Sequence, residues 1–282
     1  MSLVRPAEGA PAGVASVEVD VVSAGVSRRQ RDAVVVEEPL QVRVMHGQER
    51  ERRETDVAVT MRTPGDDTAL ALGFLHGEGL LRSVDEVAAV HEGENSVTVE
   101  LLPSVTFDAG RLRNVYTSSS CGICGLASIE AVHVHIPDRA GQDAFSVEAA
   151  VLASLPARLR AAQAAFEQTG GLHAAGAFDV EGHLVDVAED VGRHNALDKL
   201  VGRFLQQDRL PLTELGLILS GRASFELIQK AALAGYPFVA AIGPPSSLAV
   251  ELAAEQRMTL VGFLRADRCN VYTLPHRLHV GR

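Results

Sequence analysis

The stretch Leu215–Gly243, "LGLILSGRASFELIQKAALAGYPFVAAIG", decides the fold class of this chain. "LGLILSG" and "PFVAAIG" are short apolar runs, and "SFELIQKAALAG" between them reads as a helix. Strands of that kind, joined by helices, belong to parallel sheets buried on both faces. Toward the C-terminus the pattern continues with "SLAVELAAEQ" as a helix and "TLVGFLR" as a strand. Toward the N-terminus, "GRHNALDKLVGRFLQQ" is a helix and "GAFDVEGHLVDVAED" a hairpin turning near Glu181 and Gly182. "SVEAAVLASLPARLRAAQAAFEQTGG" reads as one long alanine-rich helix, closed by Gly170 and Gly171 and kinked at Pro156. "EAVHVHI" before it is a short strand. The alternation predicts a largely parallel sheet covered by helices.

The N-terminal part has a different rhythm. Residues 1–30 read as a flexible tail, with a basic cluster at Arg28, Arg29 and Arg31. "AVVVEEPLQVRVMHG" and "DVAVTMR" alternate as strands around the charged turn "QERERRET". Pro64, Gly65, Asp66 and Asp67 open an apolar helix, "TPGDDTALALGFLHGEGLL", and "NSVTVELL" is a further strand. The chain thus divides into a tail (1–30), a small α+β domain (31–115), a mobile cysteine loop (116–128) and an α/β domain (129–282). Taken together the fold class is α/β, α+β overall.

Composition narrows the function. A chain of 282 residues, nearly half of them apolar, is globular. Its net charge of −10 argues against nucleic-acid binding. No run of about 18 uncharged apolar residues occurs, which argues against a membrane span, and the first twenty residues lack the apolar core of a secretory signal. Three cysteines are an odd count that fits a reducing compartment, so a cytoplasmic protein is expected. Positive charge is almost all arginine, since Lys199 and Lys230 are the only lysines.

In α/β sheets ligands bind beyond the carboxyl ends of the strands, against helix N-termini that offer N–H groups. Those ends are "SGRAS" (Ser220, Gly221, Arg222 and onward), "GPPSS" (Gly243–Ser247) and "GFLRADR" (Gly262–Arg268). Glycines allow close backbone approach, hydroxyls cap helices, and the arginine fork binds oxyanions bidentately. Each segment alone is an ordinary strand-to-helix turn; three at one sheet edge point to an anionic, phosphate-bearing ligand. "TGGLHAAG" adds His173, and "EDVGRHNALDK" gathers Glu189, Asp190, Arg193, His194, Asn195 and Asp198 at a helix start. A capping role accounts for the acids there as well as a site does.

"TSSSCGICGLAS" (Thr117–Ser128) carries Cys121 and Cys124. A zinc site would need two more ligands, for which His133 and His135 are the nearby candidates. A deaminase-type zinc site would need H-x-E and P-C-x-x-C, but Ala174 and Ala175 follow His173, and Ser120 precedes Cys121. A thioredoxin-like exchanger sets its pair rigidly at a helix start, whereas Gly122, Gly125 and Ser118–Ser120 make a loop. A mobile loop suits a thiolate that accepts a sulfur atom at one partner and releases it at another.

The ordered set "MRTPGDDTALALGFLHGEG", "SSSCGICG", "TGGLHAAG", "EDVGRHNALDKLVG", "SGRASFELIQKAALAG" and "GFLRADRCNVYT" resembles the FdhD family of formate dehydrogenase accessory sulfurtransferases, over about Val34 to Tyr272. That resemblance implies a cytidine-deaminase-like C-terminal domain without its zinc machinery, hence no metal, beside a small N-terminal domain. It implies transfer of sulfur from a cysteine desulfurase, as a persulfide, to the bis-molybdopterin guanine dinucleotide form of the molybdenum cofactor, required for formate dehydrogenase activity. Cys121 matches the persulfide-bearing cysteine, with Cys124 as a second thiol. The family's cofactor-binding segment corresponds to Phe263, Leu264, Arg265, Ala266, Asp267 and Arg268, followed by Cys269 where the family more often has a bulky apolar residue. A homodimer is implied as well. A non-catalytic cofactor chaperone and a zinc-binding protein of deaminase fold are the alternatives.

Overall fold

The computed structural model describes residues 4–6, 13–48, 50–108, 136 and 145–281. Its first element is a small antiparallel sheet of β1 (Val4–Pro6), β2 (Val14–Ser23) and β3 (Val26–Val35). Where the sequence reading has a tail through residue 30, the chain from Val14 onward is therefore a hairpin. Its turn is Ala24–Gly25, both at positive φ, the geometry whose twist matches that of paired strands. Solvent on both faces from Asp20 to Asp32 removes the apolar alternation that usually betrays a strand.

A four-stranded sheet follows, in the order β5 (Arg53–Arg62), β4 (Glu38–His46), β7 (Ser96–Leu101), β6 (Val87–Gly93). Alternation sets its faces: Leu40, Val42 and Val44 on β4 and Val97, Val99 and Leu101 on β7 are buried, with polar residues between them. They pack against α1 (Asp67–Gly77), a helix apolar nearly all round and buried from Ala69 onward. Such a helix needs cover on its far side, and α4 (Arg193–Gln206) supplies it. The crossing is tight because glycine faces backbone on both helices. A Cβ on Gly73 would lie 1.8 Å from Asp198 O, and one on Gly202 1.8 Å from Ala69 O.

The largest sheet has six strands, in the order β10 (Leu184–Asp190), β9 (His173–Phe178), β11 (Gly216–Leu219), β12 (Phe238–Ala241), β13 (Thr259–Gly262), β14 (Asn270–Val271). Only β11–β12 and β12–β13 are parallel. The expectation of a largely parallel sheet fails because β9 and β10 form a tight hairpin, as the turn at Gly182 requires, and because β14 returns antiparallel to β13. Side chains alternate between two cores. Ala175, Ala177, Leu217, Leu219, Val239, Ala241 and Leu260 meet α4, α5 (Phe225–Ala234) and α6 (Ser247–Glu255). Phe178, Ile218, Phe238 and Val261 meet α2 (Ala149–Ala162), the short strand β8 (Val147–Glu148) and Phe145 on the other face.

The helix expected to run to Gly170 is broken at Gln163, while Pro156 lies inside α2. The six residues of α3 (Ala164–Thr169) follow, ending at Gly170. Glu189 causes the break, because its carboxylate accepts the N–H groups of Ala165 and Phe166, at 3.2 and 3.0 Å, and so starts a new helix. The strand expected at "EAVHVHI" falls outside the described residues except for Ile136.

Polar groups lock the two large sheets together. Asp190 is fully buried at the end of β10, and Lys199 Nζ on α4 lies 2.7 Å from its Oδ2. Lys199 also donates to Thr63 O at 2.7 Å, just beyond β5. Thr63 N, Gly192 N and Asn195 Nδ2 donate to the same carboxylate. Removing one partner of a buried pair leaves the other charge uncompensated. Lys199→Met is therefore expected to cost about 3–5 kcal/mol. Urea unfolding should show a lower midpoint at an unchanged slope.

Candidate functional site: the carboxyl edge of the six-stranded sheet

Because β9 runs antiparallel to both its neighbours, its first residue shares an edge with the last residues of β10, β11, β12 and β13. His173 stands opposite Asp190, and Leu219 lies between Ala175 and Ala241. Beyond that edge Gly192, Ser224 and Ser246 are the N-caps of α4, α5 and α6. Three helices thus direct their positive ends to one rim.

Backbone hydrogen bonds join the three loops into a single floor. Gly243 N donates to Gly221 O at 2.8 Å, Ala223 N to Pro244 O at 3.2 Å and Phe263 N to Gly243 O at 3.1 Å. Gly243 is needed for this approach, since a Cβ there would come 2.8 Å from Gly221 O. Arg265 closes the last loop: its Nη1 donates to Ile242 O and Leu264 O, both at 2.7 Å, and its N–H to Arg268 O at 2.8 Å.

The residues singled out in sequence divide accordingly. Ser220, Gly221, Arg222, His173 and Phe263 through Arg268 come together on the rim. Arg222, Arg265, Ala266, Asp267 and Arg268 are exposed there, and Phe263 is half-buried at a φ of 52°. Ser220 has a fixed structural task, its Oγ accepting Ala174 N at 2.8 Å. Leu264 cannot offer its side chain to a ligand, because it sits in the core against α2. His194 stands where α4 and α5 begin, 3.4 Å from Glu226. Cys269, beside the rim, is half-buried, and burial pushes its thiol up. Cys121 and Cys124, with the zinc candidates His133 and His135, lie outside the described residues. Among the described residues the one trio with metal-ligand geometry is Asp179, Glu181 and His183, on the turn at the opposite end of β9.

Glu226 was not singled out from the sequence. A carboxylate in the first turn of a helix is the commonest complement to its dipole, and only the fold shows it facing His194.

Burial holds His173 below imidazole's usual 6.5, helped by the Arg193 and Arg222 guanidiniums and opposed by Asp190. The unfolded chain therefore takes up a proton near pH 6.5 that the folded chain refuses until lower pH. Stability is lost as pH falls from 6.5 toward the depressed value. In His173→Gln, unfolding free energy measured against pH should fall less steeply across that window.

A sheet of these strands carrying helices on both faces, with loops stitched along one edge, matches a solved fold. A crystal structure of a protein assigned as a formate dehydrogenase accessory protein, from Desulfotalea psychrophila, superposes with a TM-score of 0.75, covering 95% of this chain and all of that one at 22% identity. The FdhD/NarQ family model matches residues 35–279, and the chain belongs to that family. A relative in Streptomyces avermitilis, named sulfur carrier protein FdhD, is 50% identical across 90% of this chain and 92% of its own length. One in Saccharolobus solfataricus, with the same name, is 40% identical across 89% and 93%. Among the described residues no helix is long and apolar enough to cross a membrane.

Proposed function

We propose that this chain is a sulfur carrier in the maturation of formate dehydrogenase, acting as a persulfide sulfurtransferase. The observation that carries the proposal is half identity, over nine-tenths of the chain, to a protein named sulfur carrier protein FdhD. The Cys121 thiolate attacks the outer sulfur of a cysteine desulfurase persulfide. The desulfurase cysteine leaves as a thiolate, and the new S–S bond rests on Cys121 with no net oxidation. Cys124 is the neighbouring thiol that resolves or relays that sulfur. The acceptor is the bis-molybdopterin guanine dinucleotide cofactor, with formate dehydrogenase as its destination. A cytoplasmic setting and a homodimer complete this reading.

The rim supports a polyanionic ligand of this kind. It combines helix N-termini with the exposed Arg222 and Arg268, while His173, held neutral, accepts or donates a hydrogen bond without adding charge. The small domain at 31–115 then serves to position the start of α4 through Asp190 and Thr63.

Mass spectrometry of the protein after incubation with a desulfurase and cysteine should show one added sulfur on Cys121. Cys121→Ala should lose formate dehydrogenase activation yet keep guanosine diphosphate binding; full activation by that variant would leave only a cofactor chaperone.

The arginines should separate by role. Arg268→Ala is expected to weaken guanosine diphosphate by about tenfold, the loss of one charge-assisted hydrogen bond, with thermal stability unchanged. Arg265→Ala should lower the melting temperature as well, because its guanidinium holds two loop carbonyls. Calorimetric titration showing wild-type affinity in both variants would remove the rim as the binding site.

A further inference from the structure

His194 is the second residue of α4, and only 11% of its side chain is exposed. Its Nε2 lies 3.4 Å from Glu226 Oε2 and 3.5 Å from Ser224 Oγ. Both partners belong to the start of α5, and Glu226 is as buried as the imidazole. Behind Glu226 lies Lys230, one turn further along α5. Its Nζ is 2.8 and 2.9 Å from the two Asp198 oxygens on α4 and 3.7 Å from Glu78 Oε1, which follows α1. Two carboxylates thus contact one ammonium in a buried space, and Glu226 acts on it through its charge.

Burial, reinforced by Glu226 and Glu78, outweighs Lys230 and pushes the Asp198 carboxyl up to about 6. His194 contacts this acidic group through Glu226. Other charged groups pack about the start of α4. Asp190 and Lys199, joining β10 to α4, neutralise each other. Arg193 beside it and His173 on β9 stand at the rim, with Arg222 in the loop after β11. His76 on α1 is engaged with Leu81 O. An imidazolium between two helix N-termini is disfavoured by both dipoles, so a carboxylate is required to keep it.

We propose that Glu226 is a positioning residue that holds His194 protonated, so that rising pH, in neutralising the imidazolium, leaves the Glu226 carboxylate unmatched beside the ligand rim. The inference rests on the reading of the rim as an anion site. Binding of an anionic ligand is then tightest on the acid side of the His194 titration.

Two measurements test it. In proton NMR titrations, with the His194 resonance assigned by its loss in His194→Gln, Glu226→Gln should move the His194 midpoint to lower pH. Glu226→Asp, which keeps the charge, should restore it. An equal midpoint in wild type and Glu226→Gln overturns the proposal, and the Asp variant supplies the comparison should the Gln variant fail to fold. In calorimetry with inorganic sulfate, whose charge is constant over this range, wild-type affinity should fall about tenfold across the His194 midpoint, one lost charge-assisted contact. His194→Gln, which retains His173, should lack that step; a step of unchanged size in this variant overturns the proposal. Absence of sulfate binding at every pH would instead count against the anion reading, while the NMR comparison, needing no ligand, still decides the pairing.

Discussion

The carboxylate of Asp190 is the point on which the two large sheets depend. It ends β10 at the ligand rim, has no exposure, and receives Lys199, Thr63 N, Gly192 N and Asn195 Nδ2. Burying a carboxylate is costly unless its lone pairs are satisfied and its charge is matched. Here both conditions are met by groups from three separate segments. Thr63 fixes the end of β5, Gly192 fixes the entry into α4, and Lys199 ties α4 back to Thr63 O. The small four-stranded sheet, remote in sequence from the rim, therefore determines where Arg193 and His194 begin their helix.

The crossing of α1 and α4 makes that arrangement possible and explains the chain's use of lysine. Gly73 and Gly202 bring the helix backbones so close that bulky side chains have no room. The two cations that serve this crowded junction, Lys199 and Lys230, are the only lysines in the chain. Lys230 Nζ would stand 2.8 Å from a Cβ on Gly77. A compact ammonium fits beside a helix backbone where a planar guanidinium would not. Arginine takes the remaining positions, as with Arg203, which spans from α4 to Asp66 at the start of α1 and to Asp186 on β10.

Much of this was legible in the sequence, and the failures share a physical cause. The strands and helices from Gly216 to Gly262 follow from local pattern, because each strand is buried on both faces and each helix begins at a small or hydroxylated residue. The hairpin at Val14–Val35 was not legible, since a ribbon solvated on both sides leaves no apolar period. Nor was the break at Gln163, because the group that caps α3 is Glu189, on another element. The rim was legible as a set of strand ends, yet the duties within it were not. Leu264 and Arg265 stand side by side in sequence; the fold buries one in the core and commits the other to loop carbonyls. Glu226 carries no local signal beyond its place in a helix's first turn, and only the fold sets it against His194.

The same division of labour bears on how an acidic chain would hold the anion proposed for the rim. With a net charge of −10, the long-range field opposes an anionic ligand, so attraction must be local and close. Backbone N–H groups at three helix starts provide part of it without adding titratable charge. Asp190 would weaken the rim if it remained an open anion, and its pairing with Lys199 prevents that. Arg265 is exposed beside Arg222 and Arg268, but one of its nitrogens is held to two loop carbonyls. Asp190, the acid buried at the sheet edge, is thus matched inside the fold, and on the proposed reading that internal matching, more than the overall charge, sets the potential an anion would meet there.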